Sequence, residues 1–74
     1  MKRREARLVP IAEFRDRSPA EEAWALLEDA GIPASVVGEP AMFGSFPVIR
    51  VFVASIHVTR AQQLVASIVT RAKP

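Results

Sequence analysis

Apolar residues recur along the chain with two different periods, and the changes of period mark five elements. Between Ser18 and Pro33, Ala20, Ala23, Trp24, Leu27 and Ala30 return at helical spacing, with Leu26 widening the stripe. Both ends of this helix carry signals. Ser18 is a candidate N-cap, Pro19 suits the first helical position, and Glu21 completes a capping box. Gly31 suits a left-handed C-cap, Ile32 can fold back on Leu27, and Pro33 forbids continuation. The helical stripe makes Trp24 a core residue.

The stretches on either side switch to period two. Leu8 to Phe14, LVPIAEF, reads as a strand with Leu8, Pro10, Ala12 and Phe14 on one face and Val9, Ile11 and Glu13 on the other. Pro10 has no N–H to give to a ladder, so this strand belongs at an edge or carries a bulge. Ala34 to Gly38 is a short strand led by Val36 and Val37. GEPAMFGSFP follows as a loop, broken by glycines and prolines yet rich in large apolar side chains. Val48 to Ala54, VIRVFVA, is the most continuously apolar strand and therefore belongs mid-sheet. It points Val48, Arg50 and Phe52 one way and Ile49, Val51 and Val53 the other.

A second amphipathic helix is carried by Ala61, Leu64, Val65, Ile68 and Ala72. Thr59 with Gln62 offers a capping box and Ser55 a longer start, so the helix begins between 56 and 60. Arg71 and Lys73 suit its C-terminal dipole. The order strand, helix, strand, strand, helix makes this an α+β chain. Two strands joined through a helix run parallel in one sheet. With the third strand central and antiparallel to both, the result is a ferredoxin-like split β-α-β with two helices on one face.

Seventy-four residues make one small domain, read here as residues 8–72 behind a flexible basic arm at 1–7. There is no cysteine and only one histidine, His57, so neither disulfides nor a zinc site can staple the fold. Oligomerisation is the remaining staple. No apolar run approaches the length of a membrane span, and no apolar segment follows the basic N-terminus as in a secretory signal. The expected location is cytoplasmic. All eight acids lie between Glu5 and Glu39, while residues 40–74 carry Arg50, Arg60, Arg71 and Lys73 and no carboxylate. At a net charge of +2 this asymmetry reads as an ordinary surface.

The helix start PAEE, the run LLEDAGIPASVV and the later RVFVASIHVTRAQQLV together resemble a family of small bacterial domains described as prokaryotic signal-transducing proteins. The likeness covers roughly residues 7–70. It implies a β-α-β-β-α fold akin to the PII nitrogen-regulatory proteins, and it brings no catalytic or binding residues with it. The chain departs from that family at Ser55, Ile56 and His57, where the family tends to have acidic residues.

Candidate chemistry is sparse. Glu21–Glu22 and Glu28–Asp29 are paired carboxylates, but neighbours on a helix splay apart instead of converging in a cleft. His57 stands alone as an exposed turn residue. No serine sits in a nucleophile elbow, and Gly31, Gly38 and Gly44 form no phosphate-binding pattern. The expectation is no enzyme, with no catalytic residue, cofactor or metal. Arg50-Val51-Phe52-Val53 echoes an RNA-recognition strand without its glycine and second aromatic, which makes nucleic acid the least favoured partner.

What remains is exposed apolar surface. Two helices cover one face of a three-stranded sheet, leaving Val48, Arg50 and Phe52, with Met42, Phe43 and Phe46 of the loop, as the candidate interaction surface. The expected function is a regulatory or protein-interaction domain that self-associates through this open face or the 38–47 loop. The alternative is a small-ligand sensor, for nucleotides or amino acids, framed by the Gly31 to Pro33 turn and the loop.

Overall fold

The computed structural model describes residues 7–39 and 47–72. In chain order they form strand β1 (Leu8–Phe14), helix α1 (Arg17–Asp29), strand β2 (Ala34–Glu39), strand β3 (Val48–Ala54), a 3₁₀ turn (Ser55–His57) and helix α2 (Val58–Ala72). The sheet order is β1-β3-β2, with β3 antiparallel to each neighbour. The strand with apolar residues on both faces therefore occupies the centre, and the strand with a proline lies at an edge.

Pro10 also brings the bulge. The β1–β3 register shifts between Pro10 and Ala12, leaving Ile11 as the extra residue. That shift corrects the strict alternation expected of β1. Val9 pairs with Val53 and Ala12 with Val51, so Val9 joins the face of Ala12 and Phe14, while Glu13 opposite Arg50 lies on the other face with Leu8 and Pro10. The N–H of Ser55 donates to the carbonyl of Arg7 at 2.8 Å, which ties down a residue expected in the free arm. Residues 1–6 lie outside the described part of the chain.

One hydrophobic cluster holds the domain together. Ala12 and Phe14 of β1, Val51 and Val53 of β3, Ala20, Ala23 and Leu27 of α1, and Ala61, Val65 and Ile68 of α2 are all buried, with Ile32 beside them. No polar or charged residue is buried among the described residues. Burial here follows the periodicities already visible in the chain, two along the strands and three to four along the helices.

The helix ends differ from one another in how closely they follow their sequence signals. α1 begins at Arg17 behind an extended Asp16, which makes no side-chain capping bond. Ser18 is thus inside the first turn and the capping box does not form; Glu21 pairs instead with Arg17, at 3.4 Å. Pro19 is compatible with either start, because no N–H of the first turn has an intrahelical partner. The C-terminus is a Schellman motif. Gly31, at φ 82°, donates its N–H to Glu28 O at 3.0 Å, and Ile32 donates to Leu27 O at 2.9 Å. Nothing lies within 4 Å of where a Cβ on Gly31 would stand, so its requirement for glycine is purely one of backbone conformation. Gly31→Ala is expected to cost about 1 kcal/mol in urea unfolding, and Gly31→Asn less, because asparagine tolerates the left-handed region better.

α2 starts at Val58, directly after the 3₁₀ turn, and Thr59 is consequently inside the helix. His57 is the last residue of that turn and is half-buried, less open than expected. Arg71 at the other end reaches across to Glu22 of α1 at 2.9 Å, joining the two helices on their exposed sides.

Candidate interaction surface

The face of the sheet turned away from the core is built by alternate residues of three strands. Val48, Arg50, Phe52 and Ala54 of β3 lie there, because Val51 and Val53 between them are buried. Opposite them the register places Leu8, Pro10 and Glu13 of β1 on one side and Ser35, Val37 and Glu39 of β2 on the other. Leu8 is 63% exposed and Val37 47%, while Val48 and Phe52 are half-buried. The three predicted residues Val48, Arg50 and Phe52 are thus brought together on one face. Met42, Phe43 and Phe46 fall outside the described residues.

Arg50 is the polar centre of this face. Its Nε donates to Glu13 Oε2 at 2.9 Å, and a terminal nitrogen lies 2.8 Å from Glu39 Oε2, so one guanidinium bridges carboxylates from both flanking strands. The hydrogen bond to Glu13, followed by that to Glu39, pushes the Arg50 pKa above its ordinary value. A raised cationic pKa stabilises the fold below the ordinary arginine pKa and is lost only as pH rises through the folded value, far above neutrality. Arg50 is accordingly charged throughout the working range, and its two acidic partners give the trio a negative sum. Around it stand Leu8, Pro10, Val37, Val48 and Phe52, giving a mixed surface of apolar residues about a charged strap.

The acidic partners escape a reading of the sequence that keeps strict alternation in β1, since that reading puts Glu13 among Val9 and Ile11. A signal was nonetheless present. Each of the three strands carries a single charge, Glu13, Glu39 and Arg50, and opposite charges on neighbouring strands attract when register allows.

Trp24 is a second departure. It is 40% exposed and outside the core cluster. Ala20, Ala23 and Leu27 occupy the centre of the α1 stripe, and Trp24 and Leu26 fall on its two flanks. From that flank the indole Nε1 donates to Ala34 O at 3.1 Å, while the Ala34 N–H donates to Glu28 Oε2 at 3.3 Å. Helix α1 therefore grips the first residue of β2 by both backbone groups. Beyond this grip an open groove of about 500 Å³ runs between α1 and β2, lined by Arg17, Glu21, Trp24, Val36, Gly38 and Ile49.

Three of the four paired carboxylates of α1 are in structural use. Glu21 meets Arg17, Glu22 meets Arg71, and Glu28 holds Ala34. Among the described residues no group of three or more histidine, aspartate or glutamate side chains is arranged to hold a metal ion, and no helix is long and apolar enough to cross a membrane. Compared with protein-family models, curated proteins and solved structures, the chain matches none of them.

Proposed function

We propose that this chain is a non-enzymatic regulatory domain that works by protein–protein association, beginning with association with itself. Its architecture is read as the ferredoxin-like split β-α-β, with both helices on the core face of the sheet. The observation that carries the proposal is the uncovered face. Leu8 and Val37 stand exposed on it and Phe52 only half-covered, in a domain with one thin core and no cysteine to form a disulfide. The engaged Arg50 favours protein over nucleic acid as the partner. Its guanidinium is already held by Glu13 and Glu39, so the sheet offers a nucleic-acid backbone two carboxylates rather than a free cation. The likeness to signal-transducing domains in the LLEDAGIPASVV run supports a regulatory setting.

The turn Gly31 to Pro33 is poorly equipped for the alternative, a ligand sensor. The N–H groups of Gly31 and Ile32 are spent on the helix end and Pro33 has none, so the turn offers no free donor to an anion. Association makes stability depend on concentration. The melting temperature is expected to rise steadily between micromolar and millimolar protein. A melting temperature that is flat across that range, with a monomer in sedimentation throughout, refutes the self-association.

A further inference from the structure

The sheet has two edges, and among the described residues only one carries a device against further pairing. β1 carries Pro10 and the register break beside it, both of which blunt edge-to-edge pairing. β2 has neither device. Its rim can be read from the grip on Ala34. Because Ala34 gives its N–H to Glu28 and its carbonyl to Trp24, it turns both backbone groups away from β3. Alternation then turns those of Val36 and Gly38 outward as well, and those of Ser35, Val37 and Glu39 toward β3. No hydrogen bond from another described residue takes the outward groups of Val36 and Gly38.

We propose that a second copy of this chain adds its own β2 to this edge, antiparallel, with Val37 on the two-fold axis. This rests on the self-association just proposed and narrows it to one strand. Self-complementarity selects the occupant. In a pairing symmetric about Val37, Val36 stands opposite Gly38 of the second copy and Gly38 opposite Val36 of the copy. Each of these pairs exchanges both of its backbone hydrogen bonds, so every free group on the rim is used.

The register also ends where the free groups end. At its start the outward groups of Ala34 are already taken by Trp24 and Glu28. Ser35 meets Glu39, a hydroxyl against a carboxylate, and no like charges oppose one another along the strand. At the axis the exposed Val37 meets its copy as a non-hydrogen-bonded pair, with about 4.5 Å between Cα atoms. Gly38 has open space where a Cβ would stand, which leaves room on the groove side for Val36 of the copy. An extended peptide from another protein meets the same rim but has no reason to be symmetric about Val37.

Sedimentation velocity of the full chain across micromolar to millimolar concentration tests this, with the emission of Trp24, the sole tryptophan, followed in parallel. A dimer and a blue shift of Trp24 on association are expected, since the indole lines the groove beside the paired edge. Val37→Lys puts two ammonium groups face to face and weakens the dimer by about tenfold or more, with the urea midpoint of the monomer unchanged. Phe52→Lys, on the central strand, leaves the association within about twofold. Val37→Cys, in a chain with no other cysteine, closes an inter-chain disulfide under mild oxidation, because the axial Cα separation suits one. A dimer lost in Phe52→Lys but intact in Val37→Lys overturns the edge pairing and leaves association through the open face standing. A monomer at every concentration overturns both.

Discussion

Leu27→Ala is expected to lower the free energy of unfolding by about 2–5 kcal/mol and to leave the protein partly or wholly unfolded at room temperature. Leu27 is fully buried at the centre of the α1 stripe, and its neighbours in that stripe, Ala20 and Ala23, are too small to move into the space it leaves. It also stands where the helix ends, its carbonyl taking the N–H of Ile32 and Ile32 lying in the same cluster. A chain of 74 residues has a total stability of only about 4–11 kcal/mol, so a loss of this size consumes much or all of it. Urea unfolding followed by far-UV circular dichroism measures the change. Leu26→Ala, one residue away on the exposed flank, is the control and shifts stability by less than about 0.5 kcal/mol. Equal effects of the two substitutions refute the packing described for α1.

The converse substitution is also expected to destabilise. Ala23→Leu adds apolar volume and costs almost nothing in helix propensity, yet it is predicted to lose about 1–3 kcal/mol. Ala23 is completely enclosed within the cluster shared by both helices and the sheet, and there is no space beside it for three further carbons. Ala25→Leu, made on the exposed side of the same helix, stays within about 0.5 kcal/mol. A gain in melting temperature for Ala23→Leu is the result that contradicts this. The small residues at 20, 23 and 61 are thus read as a requirement of close approach between elements, with Leu27, Phe14 and the valines of β3 supplying the bulk.

Much of the architecture is local in origin and was legible for that reason. β1 and β3 have the expected ends, α2 starts within the expected window, and the Gly31-Ile32-Pro33 stop forms as read. Each of these depends on residues within a turn or two of one another, where propensity and periodicity dominate. The start of α1 was less determined. Pro19 and the carboxylates near it suit more than one N-terminus, and the helix starts at Arg17 with Asp16 in the cap position, two residues before the Ser18 cap.

The candidate surface was legible only in part. Alternation along β3 was enough to put Val48, Arg50 and Phe52 on one face and the buried valines on the other. It said nothing of Glu13 and Glu39, which reach Arg50 only because the strands carrying them flank β3 in a particular register. Val37 likewise becomes conspicuous only once β2 is known to be an edge.

By itself, then, the order of residues determined the elements, their apolar faces and the central place of β3, because hydrophobic period, the left-handed freedom of glycine and the fixed φ of proline all act over short distances. Tertiary structure decided the bulge that turns Glu13 to the open face, the Glu13–Arg50–Glu39 strap, and the removal of Trp24 from the core to grip Ala34. All three depend on cross-strand register or on how a helix lies against a strand edge. Those are relations between distant parts of the chain that no local pattern encodes.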